Sequence, residues 1–592
     1  MRRRRLYGLA AFGAAAALTL AACSSSGSSS SSGGNTSGAG SAPAFNAGVT
    51  SVVNPSTHKG GTLTFDWRAA PDSFDPGNTY YAAVWDFARF YSTALMTFKN
   101  CPGACGKTLV PALATAPGVA SDNGLTWTYH IRSGVKYQDG TAVTSKDVKY
   151  AIERTFDRGV MANGPNYFTN LLGGNAKTYP GPFKDRAKNL MGLTAIDTPD
   201  ATTIVFHLKA PFSDMDYLLT IPQSAPVPPD KDTGASYQTH IVSTGPYKFQ
   251  SYQLDKQFTL VKNPNWEKST DPNREQLANR FVFNLNVNAD TIDNNLIHGF
   301  ADVDVAGTGV QAAARSEILS SPELRKNADN ALSGFLWFTY INSKVKPLDN
   351  VHCRRAIQYA ADKTAYQTAY GGPVAGGQIA STVLTPNIVG YQKFDLYEAT
   401  TQPHGNLDKA RQELSACGQP NGFSTTMAFR SDRPKEKATA TAQQEALSRA
   451  GIKLTLQGYP SGKYFTNFAG VPNYVHQHDL GLAVGGWAPD WPDGYGMLYY
   501  LTAGPAIQEA GNTNIGELDN PTVNGLFDKA VATRDASARN QIWSQIDRKV
   551  MQEAVILPGV YAKSLLYRNP DLTNVFVHNY YAMYNYSTLG LK

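Results

Sequence analysis

Long apolar runs are scarce in these 592 residues. After Cys23 no stretch of 18 consecutive apolar residues occurs, so the later chain has no segment suited to cross a bilayer as a helix. Charge is sparse as well, with Asp, Glu, Lys and Arg at 17% and a net charge of +6. The 53 basic side chains fall to 49 once Arg2, Arg3, Arg4 and Arg5 are set aside, against 47 acidic ones. Nucleic acid is therefore not an expected partner, because binding it calls for a dense positive surface. Hydrolase signatures are missing: there is no Gly-x-Ser-x-Gly elbow, and Ser56-Thr57-His58-Lys59 satisfies Ser-x-x-Lys without a Lys-Thr-Gly partner. Neither an enzyme nor a resident cofactor or metal is expected. Cysteine is rare too, five in all.

What is present begins at the first residues. Arg2 to Arg5 precede an apolar run from Leu6 to Leu20, the layout of an export signal. The run ends in Leu20-Ala21-Ala22-Cys23, which resembles the lipobox where bacterial lipoprotein signals are cut after the thiol is acylated. Residues 1–22 are expected to be removed, leaving lipidated Cys23 to hold the protein at the outer face of the cell membrane. From Ser24 to about Thr57 the chain is mostly Ser, Gly, Ala and Asn, with too little apolar surface to offset its ordering entropy. Residues 23–57 read as a tether, with folding expected to start near His58. Four cysteines remain in a compartment where disulfides persist, and four admit three pairings. The favoured pairs are Cys101 with Cys105 and Cys353 with Cys417. Chain entropy assigns about 2 kcal/mol to the short loop and about 4 kcal/mol to the long one.

More than 500 residues follow the tether, enough for roughly three or four units of about 150 residues each. Gly60-Gly61-Thr62-Leu63-Thr64-Phe65-Asp66-Trp67 alternates after its glycine pair and reads as the first strand. Trp127, Tyr129 and Ile131 alternate in one later segment, and Ile204, Phe206 and Leu208 in another; both read as half-buried strands. Between them Thr144 is placed to cap a helix, with Asp147 three residues on and Val148, Ala151, Ile152, Thr155 and Phe156 on one face. A second helix is expected from Asn350 through Ala356, Ile357, Ala360 and Ala361 to Gly371-Gly372. A third starts at Asn406 and stops at Gly418, and Val523–Ala532 and Ala538–Glu553 also look helical. Interspersed strands and helices make the class α/β.

Five segments stand in order along the chain: Gly60-Gly61-Thr62-Leu63; Asp122-Asn123-Gly124-Leu125-Thr126-Trp127-Thr128-Tyr129-His130-Ile131-Arg132, continuing through Gly134 to Tyr137, Asp139-Gly140-Thr141 and Asp147-Val148; Ser243-Thr244-Gly245-Pro246-Tyr247-Lys248; Arg355 to Ala360 with Asp362-Lys363; and Gly486-Trp487-Ala488-Pro489-Asp490-Trp491-Pro492-Asp493-Gly494. Together they resemble the family 5 extracellular solute-binding proteins, the peptide and nickel receptors of ATP-binding cassette importers. The last segment departs from the family, which usually has Asp-Pro where this chain has Asp493-Gly494. The resemblance implies a periplasmic-binding-protein-like, two-lobed clamp of type II with an inserted subdomain. Its boundaries are 58–105, 241–335 and 565–592 for the first lobe, 106–240 for the insert and 336–564 for the second lobe. Hinge strands are expected near Phe335–Asn342 and Pro558–Leu566. Expected partners are a peptide, a separate permease with its ATPase, and the membrane through the lipid; the receptor itself is expected to be a monomer.

In peptide-binding relatives an aspartate of the Gly-Trp-x-x-Asp segment pairs with the peptide's terminal ammonium, and the matching residue is Asp490. A buried carboxylate suits an amine that has left water, through charge-assisted hydrogen bonds. Trp487 and Trp491 flank it and would form an apolar wall. Asp75, Asn78, Tyr80 and Tyr81 follow the first strand, where the family's first-lobe loop approaches the cleft. Arg430 and Arg433 are candidates for the peptide's carboxylate, since a guanidinium fork matches that geometry. His476-Gln477-His478 would be the place for a metal chelate if the cargo were one.

Overall fold

A computed structural model describes residues 44–592 apart from 69, 186–191, 254, 308 and 461–462. The export signal, Cys23 and the run up to residue 43 lie outside the described residues. Two sheets dominate. In the first lobe five strands lie in the order Val303–Asp304, Thr62–Asp66, Arg280–Asn284, Gln257–Lys262 and Tyr247–Gln253. Thr62–Asp66 is parallel to both of its neighbours, and Phe65 from it sits in a cluster of rings with Phe90, Phe281, Phe283 and Tyr586. The last of these arrives from the far end of the chain.

An insert carries its own four-stranded antiparallel sheet, built on Thr126–His130 and Thr203–His207 with Val119–Ser121 and Ile196–Asp197 at the edges. Its helix Ser145–Arg154 starts where the sequence places it. Thr144 and Asp147 form a capping box, which satisfies backbone donors that a helix start leaves open.

The second lobe holds a six-stranded sheet in the order Gln378–Ile379, Ile556–Tyr567, Ala328–Ile341, Leu482–Trp487, Ser424–Arg430 and Lys453–Tyr459. Two of these strands, Ala328–Ile341 and Ile556–Tyr567, are long and antiparallel, and they belong to both lobes. Ala328, Leu565 and Tyr567 pack with Ile292, Leu296 and Ile318 in the first lobe. At their other ends Ile341 and Leu557 pack with Ile357, Leu414 and Leu482 in the second. Their pairing shifts register between Leu332 and Leu336 and again between Trp337 and Phe338, so the ladder is interrupted midway between the two cores.

Cys353 is joined to Cys417 and Cys101 to Cys105. Helices Leu407–Ala416, Pro521–Ala532 and Ala536–Glu553 occupy the segments with helical periodicity. The expected helix from Asn350 to Gly371 is instead two, Val351–Ala360 and Lys363–Ala369. Ala361 is extended, and Asp362 accepts a hydrogen bond from the amide of Ala365 at 2.7 Å, so it caps a new helix where continuation was expected. The folded part also begins earlier than His58. Asn46 bonds to Asn330 and Ala328, the amide of Gly48 donates to Asp329, and Val53 bridges to Val575. These partners lie hundreds of residues away, so the local composition carried no sign of them.

Candidate functional site

Asp490 lies just beyond the strand Leu482–Trp487. Glycines hold that strand close to its neighbour: a Cβ on Gly486 would come within 2.4 Å of Trp337, and one on Gly485 within 2.4 Å of Tyr340. The following turn is fixed by Asp493, whose Oδ1 accepts from the amides of Tyr495 and Gly496 at 2.9 and 3.3 Å and so caps the helix Gly494–Thr502. At Gly494, where relatives usually carry proline, a Cβ would meet the Trp543 ring at 2.2 Å. That position has room for nothing larger.

This strand and turn deliver the Asp490 carboxylate to the seam between the lobes, where it is 7% exposed. Its Oδ2 accepts from the Tyr80 hydroxyl at 2.8 Å and from the Tyr167 hydroxyl. Its backbone carbonyl accepts from the Tyr580 hydroxyl at 2.6 Å. Tyr80 follows the first strand, Tyr167 begins the helix Tyr167–Leu171 of the insert, and Tyr580 belongs to the C-terminal segment. Rings close the site: Tyr80 stacks on Trp85 at 5.6 Å, and Tyr167 lies 5.0 Å from Trp491 and 5.8 Å from Tyr500.

Among the described residues no Lys, Arg or His forms an ion pair with Asp490. Burial pushes its carboxyl up to about 6, and the hydrogen bonds from Tyr167 and Tyr80 pull the other way. A desolvated carboxylate held only by neutral hydroxyls strongly favours a cation delivered to it.

A family model described as bacterial extracellular solute-binding proteins, family 5 middle, matches residues 108–509. The chain belongs to this family. Family 5 proteins are transport receptors that bind solutes without chemical turnover. A solved structure named clavulanic acid biosynthesis oligopeptide binding protein 2 is 41% identical, with a TM-score of 0.90 over 93% of this chain and 99% of that one. The probable D,D-dipeptide-binding periplasmic protein DdpA of Escherichia coli K12 is 24% identical over 83% of this chain and 87% of its own. The fold is shared with the DppA protein of Helicobacter pylori, solved with the peptide STSA, at a TM-score of 0.66 and 22% identity over 89% and 98% of the two chains.

Within this family 5 fold the other candidate residues fall into distinct settings. Trp487 is half-buried and donates from its indole to the carbonyl of Gly496 at 3.0 Å, while Trp491 is fully buried. Tyr81 leaves 62% of its surface exposed at the start of the helix Ala82–Ala88. Asn78 is tied to the loop opposite, donating to the carbonyl of Val160 and accepting from the amide of Asn163.

Asp75 is held by the buried Arg154, at 3.0 Å and 2.6 Å through two nitrogens, so its charge is already matched. Arg430 likewise forms a two-point pair with the buried Glu436, with Arg433 at 3.8 Å from the same carboxylate. The two arginines thus form one charge cluster with Glu436. His476 bonds to Glu517 at 2.9 Å, and His478 stacks on Tyr474 at 3.8 Å.

Tyr167, Tyr500 and Tyr580 were not foreseen. With 31 tyrosines in the chain, none of them stands out locally. Only the fold brings Tyr167 across 323 residues to Asp490.

Proposed function

We propose that this family 5 protein is the peptide receptor of an ATP-binding cassette importer. It captures di- or oligopeptides between its two lobes and hands them to a separate permease, and Asp490 receives the peptide's terminal ammonium. The observation that carries this reading is the buried Asp490 carboxylate, held by two phenolic hydroxyls and matched by no cation among the described residues. An ammonium entering there finds a charge-assisted acceptor in a dry setting. Tyr80, Tyr167 and Trp487 would surround the peptide's first residue, with the exposed Tyr81 nearer the mouth. The kinship with a protein named for oligopeptide binding, at 41% identity over nearly the whole chain, supports a peptide over a metal chelate or a sugar. Mass spectrometry of ligand released from the purified protein tests this directly: peptides are expected, and a nickel chelate or oligosaccharide would overturn it.

The same carboxyl gives a pH signature. It must be charged to hold an ammonium, and burial pushes it up to about 6. The contribution of Asp490 to affinity is therefore full above that value and lost below it, by up to about tenfold per pH unit. Calorimetric titration of a bound peptide from about pH 8 down to about pH 4 checks this. Unchanged affinity across that range would exclude Asp490 as the ammonium's partner.

Delivery belongs to the same proposal. A lipid on Cys23 and the Ser/Gly-rich run after it would keep the receptor near its permease and raise its effective concentration there. Cys23→Ser is expected to leave peptide binding in solution intact and to lower uptake by whole cells. Normal uptake with the protein released into the medium would separate anchoring from transport.

A further inference from the structure

A second buried carboxylate of the Asp490 turn meets the first lobe, away from the tyrosines. Asp214 precedes a short helix, Met215–Leu218, without a side-chain capping bond, in a segment tied to the first lobe: Leu219 accepts from the amide of Met96 at 3.1 Å, and Ser224 from the amide of Leu95 at 3.2 Å. The same segment reaches across to the second lobe. The amide of Ser213 donates to the carbonyl of Val531 at 2.8 Å, and Phe212 packs edge-on against Trp491 and Tyr495. Here Asp214 meets Asp493, the cap of the helix Gly494–Thr502, and Arg539 of the helix Ala536–Glu553.

One cation faces two carboxyls. Arg539 places Nε 3.3 Å from Oδ1 of Asp214, while its Nη1 is spent on the carbonyls of Thr533 and Arg534. Asp214 is fully buried and Asp493 is 1% exposed. Both oxygens of Asp214 and Oδ2 of Asp493 lack a well-aligned hydrogen bond among the described residues, and the neutral Trp491 indole and the Asp493 carboxyl are the other polar groups that act on Asp214. Two ionised carboxylates beside one guanidinium leave an uncompensated negative charge out of water, which is strongly unfavourable. A single proton between them supplies the missing donor and removes that charge.

We propose that Asp214 and Asp493 share one proton across the seam between the lobes, so that the clamp closes with uptake of a proton. Burial, together with the mutual repulsion of the pair, raises the Asp493 carboxyl well above its ordinary value, and burial raises Asp214 too. When the lobes part, water returns to both groups and their pKa values drop toward the ordinary range. The closed form therefore binds more protons than the open one. Closure is favoured at low pH and weakened as pH rises through the raised values of the pair. The other groups facing the pair are Tyr217 and Asp216 beside Asp214 and Tyr495 above Asp493, with the two phenols pushed up rather than down. Asp490 is also raised by burial, to about 6, and contributes to the same pH dependence, so the share of the pair is the part that neutralising Asp214 or Asp493 removes.

The test needs no peptide, so its outcome is independent of the cargo. Spin labels on Lys146→Cys, exposed on the insert, and Lys453→Cys, exposed on the second lobe, report the separation of the lobes by pulsed electron resonance. As pH rises from about 5 to about 8, the ratio of near to far populations is expected to fall, by up to about tenfold per pH unit within the titration window. Asp214→Asn and Asp493→Asn, the second retaining a capping oxygen, are each expected to flatten that fall. A ratio independent of pH in the parent, or an equal fall in both variants, overturns the proposal.

Discussion

Asp490→Ala is expected to weaken peptide binding about 30-fold to a few thousand-fold, which corresponds to roughly 2–5 kcal/mol for removing one partner of a buried charge pair. The size follows from the surroundings. The carboxylate is out of water, and two of its hydrogen bonds come from the opposite lobe. Alanine leaves the arriving ammonium desolvated and also strips the Tyr80 and Tyr167 hydroxyls of their acceptor. Asp490→Asn separates these effects, because it retains an acceptor oxygen while removing the charge. Calorimetry near pH 8 is the measurement, since Asp490 is ionised there. An alanine variant that binds peptide within about threefold of the parent would place the ammonium elsewhere, because even an exposed ion pair is worth up to about 1 kcal/mol.

Arg154→Met is expected to cost about 3–5 kcal/mol of folding stability. Arg154 is fully buried in the insert's helix, holds Asp75 on one side and Asp232 at 2.8 Å on the other, and lies 4.9 Å over the Tyr237 ring. Removing it strands two buried carboxylates in one place. Urea denaturation followed by tryptophan fluorescence reads the loss. Neutralising the stranded pair in the same chain, with Asp75→Asn and Asp232→Asn, is expected to recover much of it. A loss under about 1 kcal/mol would mean that this cluster behaves like an exposed ion pair.

The legible parts of this molecule were those written in short stretches. Thr144 with Asp147, and Asn406 ahead of Leu407 and Ala410, announce helix starts because a cap and its apolar face lie within two turns. The alternation at Thr62–Asp66 and Thr126–His130 announces strands for the same reason. What failed was contact over distance. Asn46, Gly48 and Val53 sit in a stretch whose composition reads as tether, yet their partners Asn330, Asp329 and Val575 order them. The single helix expected beyond Asn350 failed because Asp362 serves equally well as a helical residue and as a cap, and the tertiary bond from the amide of Lys363 to Pro403 decides between them.

The site divides in the same way. Asp490 was legible through its motif, as were the tryptophans beside it. Of its tyrosine partners only Tyr80 was named from the sequence; Tyr167 and Tyr580 come from separate, distant segments of the first-lobe side. The setting of Arg430 was hidden too, although Glu436 lies only six residues away. Pairing the two requires the turn from the strand Ser424–Arg430 into the helix Pro434–Ser448, which the residues between them do not spell out.

The earliest and latest described segments meet in the first lobe, with Val53 bridged to Val575 and Phe65 packed 5.6 Å from Tyr586. This sets a timetable for synthesis. The first strand emerges early, but the ring that completes its core is among the last residues made. At about 5–20 residues per second, Phe65 waits roughly half a minute to nearly two minutes for Tyr586. The second lobe lies in one unbroken stretch and has all its parts sooner. Until Tyr586 is made, the ring cluster of Phe65, Phe90, Phe281 and Phe283 lacks its last member, and an incomplete apolar core is exposed to aggregation.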